Sequence, residues 1–172
     1  AARLDVPSIH VVGGPAEGGC EFDGRAADIT SIAEGLGMLQ AGRIDEDTFT
    51  QLEDQAMPTC GSCSFLGTAN SMGCVAEALG ICLPGTATIP ATHADRLRAA
   101  QLSGQRIVDL VRREVSARRI INPMGIENAI RLTAAIGGST NAVIHIPAIA
   151  AEAGLDVDCA RLIDEASRNI PL

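Results

Sequence analysis

The stretch PTCGSCSFLGTAN, residues 58–70, places two cysteines in a tight Gly/Ser turn directly before a segment that reads as a long apolar helix. Only Gly61 and Ser62 separate Cys60 from Cys63. A turn of this kind leaves backbone N–H groups free and a helix start carries partial positive charge, so both favour the thiolate form of a nearby cysteine. Because a thiolate binds iron or zinc and attacks electrophiles, this stretch is the first candidate for a functional site.

The segments around the cysteines predict mostly helix. Apolar residues recur at helical spacing, and several segments open with capping or acidic residues. The last segment is apolar almost all round, which predicts burial on more than one side, and Ser139 or Thr140 could cap it. The predicted helices cover 29–39, 45–55, 68–79, a segment opened by a capping box of Thr92 and Asp95, a segment from Asn122-Pro123 to Gly137-Gly138, and 141–153.

One β-strand is expected near the N-terminus. The run VPSIHVV, residues 6–12, is rich in β-branched residues and ends at Gly13-Gly14-Pro15. A single buried strand needs neighbours to pair with, and residues 1–4 resemble the end of a helix. The pattern therefore predicts an α/β fold, a helix-rich fragment of a larger domain with a parallel sheet, and no domain boundary within 1–172.

Composition excludes several classes of protein. The chain has 172 residues, of which 47% are apolar, so it can form a real hydrophobic core. Its net charge of −8, with no Trp or Tyr and three Phe, argues against nucleic acid and favours small-molecule partners. No apolar run reaches the roughly 20 residues of a membrane span and no leader is visible, so neither membrane nor export is expected and the default location is cytoplasmic. The six cysteines are expected to be reduced.

Four interpretations of the Cys60 and Cys63 pair remain open from the residues alone. A thioredoxin-like redox pair would need a strand before the turn, whereas the preceding segment reads as helix. A structural zinc site would need two more ligands at short spacing. An iron–sulfur site would need further cysteines brought together in space. The fourth interpretation is that both are small buried residues of a tight turn.

Eight short motifs follow one another along the chain: GGP (13–15), PTCGSC (58–63), TANSM (68–72), EALG (77–80), LPG (83–85), ATHADR (91–96), ENAI (127–130) and GGSTNAV (137–143). In this order they resemble the dihydroxy-acid dehydratase and phosphogluconate dehydratase superfamily, and dihydroxy-acid dehydratases most of all. The resemblance covers essentially the whole chain, and it implies that residues 1–172 form the central part of the amino-terminal α/β domain.

The resemblance implies a hydro-lyase that converts a 2,3-dihydroxy acid to a 2-keto acid. In that superfamily an iron–sulfur cluster acts as Lewis acid on the hydroxyl that leaves as water, while a base removes the proton from the neighbouring carbon. A Mg²⁺ ion holds the substrate carboxylate. The remaining cluster ligands, the Mg²⁺ ligands and a catalytic serine would lie outside residues 1–172, so this chain alone is not expected to complete the reaction.

Residue by residue, the resemblance makes Cys63 the cluster ligand and leaves Cys60 as an auxiliary, buried neighbour. It also implies a homodimer or tetramer. The loop 137–141 could hold an anion or form a close helix–helix turn. The other cysteines and histidines are read as structural: Cys20 as incidental, Cys74, Cys82 and Cys159 as small apolar residues, His93 as a local hydrogen-bonding group, and His145 as a core residue.

The substrate is the least defined part of this expectation. Branched-chain amino-acid precursors are the first candidate. The chain departs from branched-chain members at Ala16, where methionine is common, and at residues 64–67, where Ser-Gly-Met-Phe is more usual. The second departure is reminiscent of members that dehydrate sugar acids, so an aldonic acid dehydratase is an alternative. A non-catalytic fragment or a Cys-x-x-Cys redox module is the alternative from another class.

Overall fold

The computed structural model describes residues 1–170, and helices make up most of that range. They are α1 (Ile29–Gln40), α2 (Glu46–Gln55), α3 (Thr68–Ala78), α4 (Ala94–Arg112), α5 (Ala117–Ile120), α6 (Pro123–Ala135), α7 (Ala142–Glu152) and α8 (Cys159–Asn169). The only strands in the described range are β1 (Glu21–Phe22) and β2 (Arg25–Ala26), which pair antiparallel as a small hairpin. The prediction of a helix-rich chain is confirmed.

The main hydrophobic core lies among α3, α6, α7 and α8. Val75 and Leu79 at the end of α3 are buried against Ile126 of α6 and Ile146 of α7. Helix α6 starts where the sequence predicts, because Asn122 caps it by accepting a hydrogen bond from the Gly125 amide at 3.0 Å and Pro123 occupies the first turn. This core therefore holds the C-terminal half of α3, the helix that follows the two cysteines.

A second, smaller core joins α1, α2 and the hairpin. Leu52 and Ala56 are buried there, and Phe22, Ile32 and Phe49 pack around them. Asp28 and Asp45 cap α1 and α2 through side-chain oxygens that accept backbone N–H groups, in agreement with the predicted starts of both helices. The last residue of this core, Ala56, leads directly into the turn of Cys60 and Cys63.

The predicted strand at residues 6–12 is wrong, and the part of the chain that the structure describes contains no parallel sheet. The segment has no ladder partner. The His10 amide donates to the Ile81 carbonyl at 2.7 Å, and the Val6 carbonyl accepts from the Ala117 amide at 3.1 Å. Because its hydrogen bonds go to two separate segments, the run is held without the repeated pairing that defines a strand.

Helix α4 is continuous through Gly104, but its predicted start is one residue off. His93 is the N-cap, and its Nδ1 accepts a hydrogen bond from the Asp95 amide at 3.2 Å. The Thr92 hydroxyl instead donates to Glu17 at 3.1 Å. A histidine ring nitrogen thus does the capping that the Thr92 and Asp95 pattern predicted for a hydroxyl.

Helix α7 is buried on one side, not on several as its composition predicts. Ala142, Ile146 and Ala150 face the main core, whereas Ile144 is 70% exposed. His145 is also exposed, so its interpretation as a core residue is wrong. No helix within the described residues combines the length and apolar character needed to cross a bilayer.

Candidate functional site

The two cysteines lie in the connection between α2 and α3, and residues 60–63 are here called the cysteine turn. Both thiols are free. Cys63 is half-buried and Cys60 is exposed, so the expectation that Cys60 is buried is wrong. The structure therefore presents Cys63 from within the turn and Cys60 at its surface.

The cysteine turn is paired with a segment more than forty residues earlier in the chain. The Ser62 amide donates to the Gly14 carbonyl at 2.9 Å, and the Ser62 carbonyl accepts from the Ala16 amide at 2.8 Å. Ser62 Oγ also lies 3.0 Å from the same Gly14 carbonyl oxygen. These contacts form an isolated parallel bridge between Pro15 and Ser62, which fixes the peptide next to Cys63.

Gly61 allows this close approach. Its φ of +139° lies in the region that favours glycine, and a Cβ placed on it would lie 2.5 Å from the Ala16 nitrogen and 2.8 Å from the Pro15 carbonyl carbon. Any other residue would push the Gly14–Ala16 segment away. The glycine between the two cysteines is thus required by tertiary packing as well as by the turn.

Asn70 closes the turn from the other side. Its Nδ2 donates to the Cys63 carbonyl at 2.5 Å and to the Phe65 carbonyl at 2.7 Å, and its Oδ1 accepts from the Ser62 hydroxyl at 2.6 Å. The side chain is 7% exposed, so these polar groups are satisfied within the protein. Asn70 holds both the residue before Cys63 and the carbonyl of Cys63 itself.

Helix α3 begins at Thr68, as the sequence pattern predicts. Gly67 is the N-cap and Thr68 the first helical residue, so residues 64–67 separate Cys63 from the helix. The partial charge of a helix start falls off within the first turn. The turn itself, and not the start of α3, is therefore what presents Cys63.

The loop 137–141 packs onto the start of α3. The Ser139 amide donates to the Ser71 hydroxyl at 2.9 Å, the Ser139 and Thr68 hydroxyls are 3.0 Å apart, and Asn141 Nδ2 donates to Thr68 at 2.7 Å. The amides of Gly137 and Gly138 donate to carbonyls of α6. Because these amides have partners inside the chain, the hydrogen bonds favour the close helix–helix turn over an anion cradle.

A cleft of about 180 Å³ opens beside the cysteine turn. Phe65 and Leu66 form part of its wall and are 38% and 41% exposed. Glu77 orders the opposite side, because its carboxylate accepts three backbone amides at 2.7–3.1 Å. Those amides belong to Gly85, Thr86 and Ala87, and the cleft is lined by Pro15, Ser64, Phe65, Leu66, Asn70, Cys74, Ala87 and Thr88.

The remaining cysteines fit a structural role. Cys74, Cys82 and Cys159 are buried, as predicted, and burial raises the pKa of each thiol. Cys20 packs at the edge of the second core. Among residues 1–170, no three His, Cys, Asp or Glu side chains come together in a way that could hold a metal ion.

Three residues with a structural role at the site are not marked by the sequence pattern, although each lies in a family motif: Asn70, Glu77 and Arg96. Asn70 and Arg96 are polar residues buried in helices. The carboxylate of Glu77 accepts backbone amides of a loop that follows it in the chain. A polar residue on the otherwise apolar face of a predicted helix is the signal that could have marked Asn70. Nothing in the local sequence marks the other two, because their partners belong to irregular loops.

The fold and the site together define a helical module that presents one partly accessible cysteine from a turn held by distant segments. Iron–sulfur clusters are held by cysteine thiolates, so an accessible thiol of this kind is chemically able to serve as one ligand. The chain belongs to the family described as dihydroxy-acid/6-phosphogluconate dehydratase N-terminal, whose model matches residues 1–172.

Curated relatives support this assignment. The chain is 46% identical over 168 residues, 98% of its length, to a protein of Caldanaerobacter subterraneus named dihydroxy-acid dehydratase. It is 44% identical over 171 residues, 99% of its length, to a protein of Maridesulfovibrio salexigens with the same name. The chain spans 30% of the length of each of these two relatives. A third relative of that name, from Clostridium pasteurianum, is 46% identical over 158 residues, which are 92% of this chain and 55% of that protein.

Proposed function

We propose that the whole protein is a hydro-lyase that dehydrates a 2,3-dihydroxy carboxylate, and that this chain supplies Cys63 as one ligand of an iron–sulfur cluster. Family membership over the full chain is the observation that carries the reaction class. In the reaction the substrate loses the hydroxyl on C3 and the proton on C2 as water. The resulting enol then rearranges to the 2-keto acid.

The donor set of the cysteine turn fits one cluster ligand. Iron–sulfur clusters are held by cysteine thiolates, and Cys63 is a free, half-buried thiol on a fixed backbone. When bound, such a cluster supplies a Lewis-acidic iron that polarises the hydroxyl to be expelled. The other cluster ligands and the ligands of a Mg²⁺ ion are proposed to lie outside residues 1–172. Residues 1–172 themselves are proposed to form the central part of an amino-terminal α/β domain.

The role proposed for this chain is to hold the Cys63 thiol in one place. Ser62 is tied to Gly14 and Ala16, and Asn70 is tied to the Cys63 carbonyl, so the backbone on both sides of the thiol has little freedom. A ligand fixed in advance loses little conformational entropy on binding. Cys60 lies outside this arrangement and is proposed as auxiliary at most.

The substrate proposed first is a branched-chain dihydroxy acid on the route to valine and isoleucine, in a cytoplasmic homodimer or tetramer. The relatives' shared name supports this choice. The sugar-acid alternative is supported by residues 64–67, where Phe65 and Leu66 line the cleft beside the turn. Keto-acid formation from dihydroxyisovalerate, compared with arabinonate and gluconate, would decide between them.

The test of the cluster ligand uses the full-length protein purified without oxygen. Iron content, sulfide content and visible absorbance should fall sharply in Cys63→Ser, and dehydration activity should fall with them. The matched control Cys60→Ser should keep all four, because Cys60 is exposed and outside the fixed backbone. Full iron content in a folded Cys63→Ser protein would contradict the proposal.

The redox alternative predicts a different result, because it requires both Cys60 and Cys63. A Cys60–Cys63 disulfide would have to form reversibly with a measurable potential, and either serine variant would abolish it. The two thiols are free in the structure and both precede α3 by several residues, unlike a redox pair at a helix start. Equal loss of function in both serine variants would favour the redox pair.

A further inference from the structure

Arg96 is a buried charge in the first turn of α4. The residue is 7% exposed. Its Nη1 donates to the Thr86 carbonyl at 2.9 Å, and its Nη2 donates to the Ile89 carbonyl. Its Nε is buried and has no hydrogen-bond partner among the described residues. Burying a guanidinium is costly, so its retention calls for a function beyond filling space.

The guanidinium organises the segment 86–91, which in turn meets the Gly13-Gly14-Pro15 loop. The Ala91 amide donates to the Pro15 carbonyl at 2.9 Å. Gly14 lies directly against the guanidinium, since a Cβ on Gly14 would be 2.6 Å from Arg96 Nη2 and 2.9 Å from the Ala91 nitrogen. Arg96 therefore fixes the surface on which Gly14 and Pro15 rest.

Gly14 and Ala16 are the two residues that pair with Ser62, as described above. The contacts form a continuous path from Arg96 through the 86–91 carbonyls to Gly14, and from Gly14 to the peptide that precedes Cys63. Asn70 holds the turn from the opposite side, and the path from Arg96 constrains where the Gly14–Ala16 edge lies.

We propose that Arg96 is a positioning residue for Cys63. It touches neither the thiol nor the cleft beside the turn, and acts by holding the 86–91 segment against which the partner of Ser62 is placed. The importance of this role for cluster binding rests on the proposed function, whereas the positioning itself does not.

The experiment measures backbone hydrogen exchange in the full-length protein for Arg96→Met, Arg96→Lys and the control Arg106→Met. Arg106 is an exposed arginine of the same helix, and its Nη1 lies 3.7 Å from Asp109 Oδ2. In Arg96→Met the Ser62 and Ala16 amides should exchange at least about tenfold faster than in the wild type, while core amides such as Leu79 keep their rates. Arg96→Lys should lie in between, because an ammonium keeps the charge but lacks the planar fork with which the guanidinium reaches both carbonyls. Arg106→Met should match the wild type.

Two results would overturn the proposal. One is a folded Arg96→Met protein in which Ser62 and Ala16 change by less than about twofold. The other is equal acceleration of every amide, which would indicate a general loss of stability. If Arg96→Met does not fold, Arg96→Lys decides by the same comparison.

Iron content gives the second readout and separates the two proposals. If Cys63 is a ligand, the Arg96→Lys protein should hold less iron than Arg106→Met, with an altered visible circular dichroism spectrum. If Cys63→Ser keeps its iron, the proposed ligand role fails, and the exchange rates at Ser62 and Ala16 still decide whether Arg96 positions the turn.

Discussion

The side-chain amide of Asn70 donates to the Cys63 carbonyl at 2.5 Å, across a turn whose helix begins only at Thr68. The same nitrogen reaches the Phe65 carbonyl, and the oxygen accepts from the Ser62 hydroxyl. One buried side chain therefore satisfies three polar groups that the turn would otherwise leave without partners. Its effect on Cys63 can be tested by a change that keeps its size.

Asn70→Asp should destabilise the protein more than its small change in shape suggests. A carboxylate cannot donate to the two carbonyls, so we expect a loss of about 2–3 kcal/mol in the free energy of unfolding at neutral pH. Urea denaturation measures this loss. The Cys63 thiol should also react faster with a neutral alkylating reagent as the turn loosens.

The control for Asn70 is Asn169→Asp, because Asn169 is exposed at the end of α8. Its effect should stay within about 0.5 kcal/mol. Equal effects at the two positions would mean that the hydrogen bonds of Asn70 do not hold the turn.

Gly61→Ala should be among the most damaging glycine substitutions in the chain. It combines a φ of +139° with a Cβ 2.5 Å from the Ala16 nitrogen, so we expect a cost of at least about 3 kcal/mol. Gly85→Ala separates the two causes, because Gly85 also has a positive φ, +77°, but no atom lies near its Cβ position. It should cost only about 1 kcal/mol. Similar losses for both variants in urea denaturation would refute the close approach at Gly61.

Asp28→Ala should remove the cap of α1 and lower stability by about 1 kcal/mol. The hydroxyl of Thr30, helped by the Thr30 and Ser31 amides, lowers the pKa of the Asp28 carboxyl. The unfolded state therefore binds more protons than the folded state just below about pH 4. The stability that Asp28 contributes is lost as the pH falls through the lowered pKa of the folded state.

Asp28→Asn gives the matched comparison, since the amide can still cap but cannot titrate. The free energy of unfolding of Asp28→Asn should be close to that of the wild type at neutral pH. It should decline less steeply than that of the wild type as the pH is lowered. A decline as steep as that of the wild type would show that Asp28 does not contribute to acid sensitivity.

Cys82 should make the protein less stable in alkali. Burial raises the pKa of its thiol to about 11, the charge of Glu77 adds to the shift, and Arg96 opposes it. Between about pH 9 and pH 11 the unfolded state loses the proton while the folded state keeps it, so stability falls as the pH rises.

Removing the thiol in Cys82→Ala should flatten this alkaline decline in the free energy of unfolding. Cys60→Ala, at the exposed cysteine, should leave the slope as it is. The raised pKa values of Cys74 and Cys159 keep part of the decline in both variants. Parallel curves for Cys82→Ala and the wild type would exclude Cys82 as a cause.

The sequence alone located most of the helices and the turn that forms the candidate site. Helix hydrogen bonds join residues four apart, and caps such as Asp45 and Asn122 act within three residues, so both can be read locally. The resemblance of the residues around Cys63 to a family motif is what selected the candidate ligand. The sequence pattern did not predict helix α8 or the hairpin of β1 and β2.

Only the tertiary structure decided how the turn is held. The strand predicted at 6–12 depended on a neighbour, and the structure gives that segment separate contacts to Ile81 and Ala117 instead of a ladder. The exposure of Cys60, the bridge between Ser62 and Gly14 and the burial of Arg96 likewise depend on residues far apart in the chain. Contacts between distant segments arise from packing, which no local pattern encodes, and those contacts place Cys63.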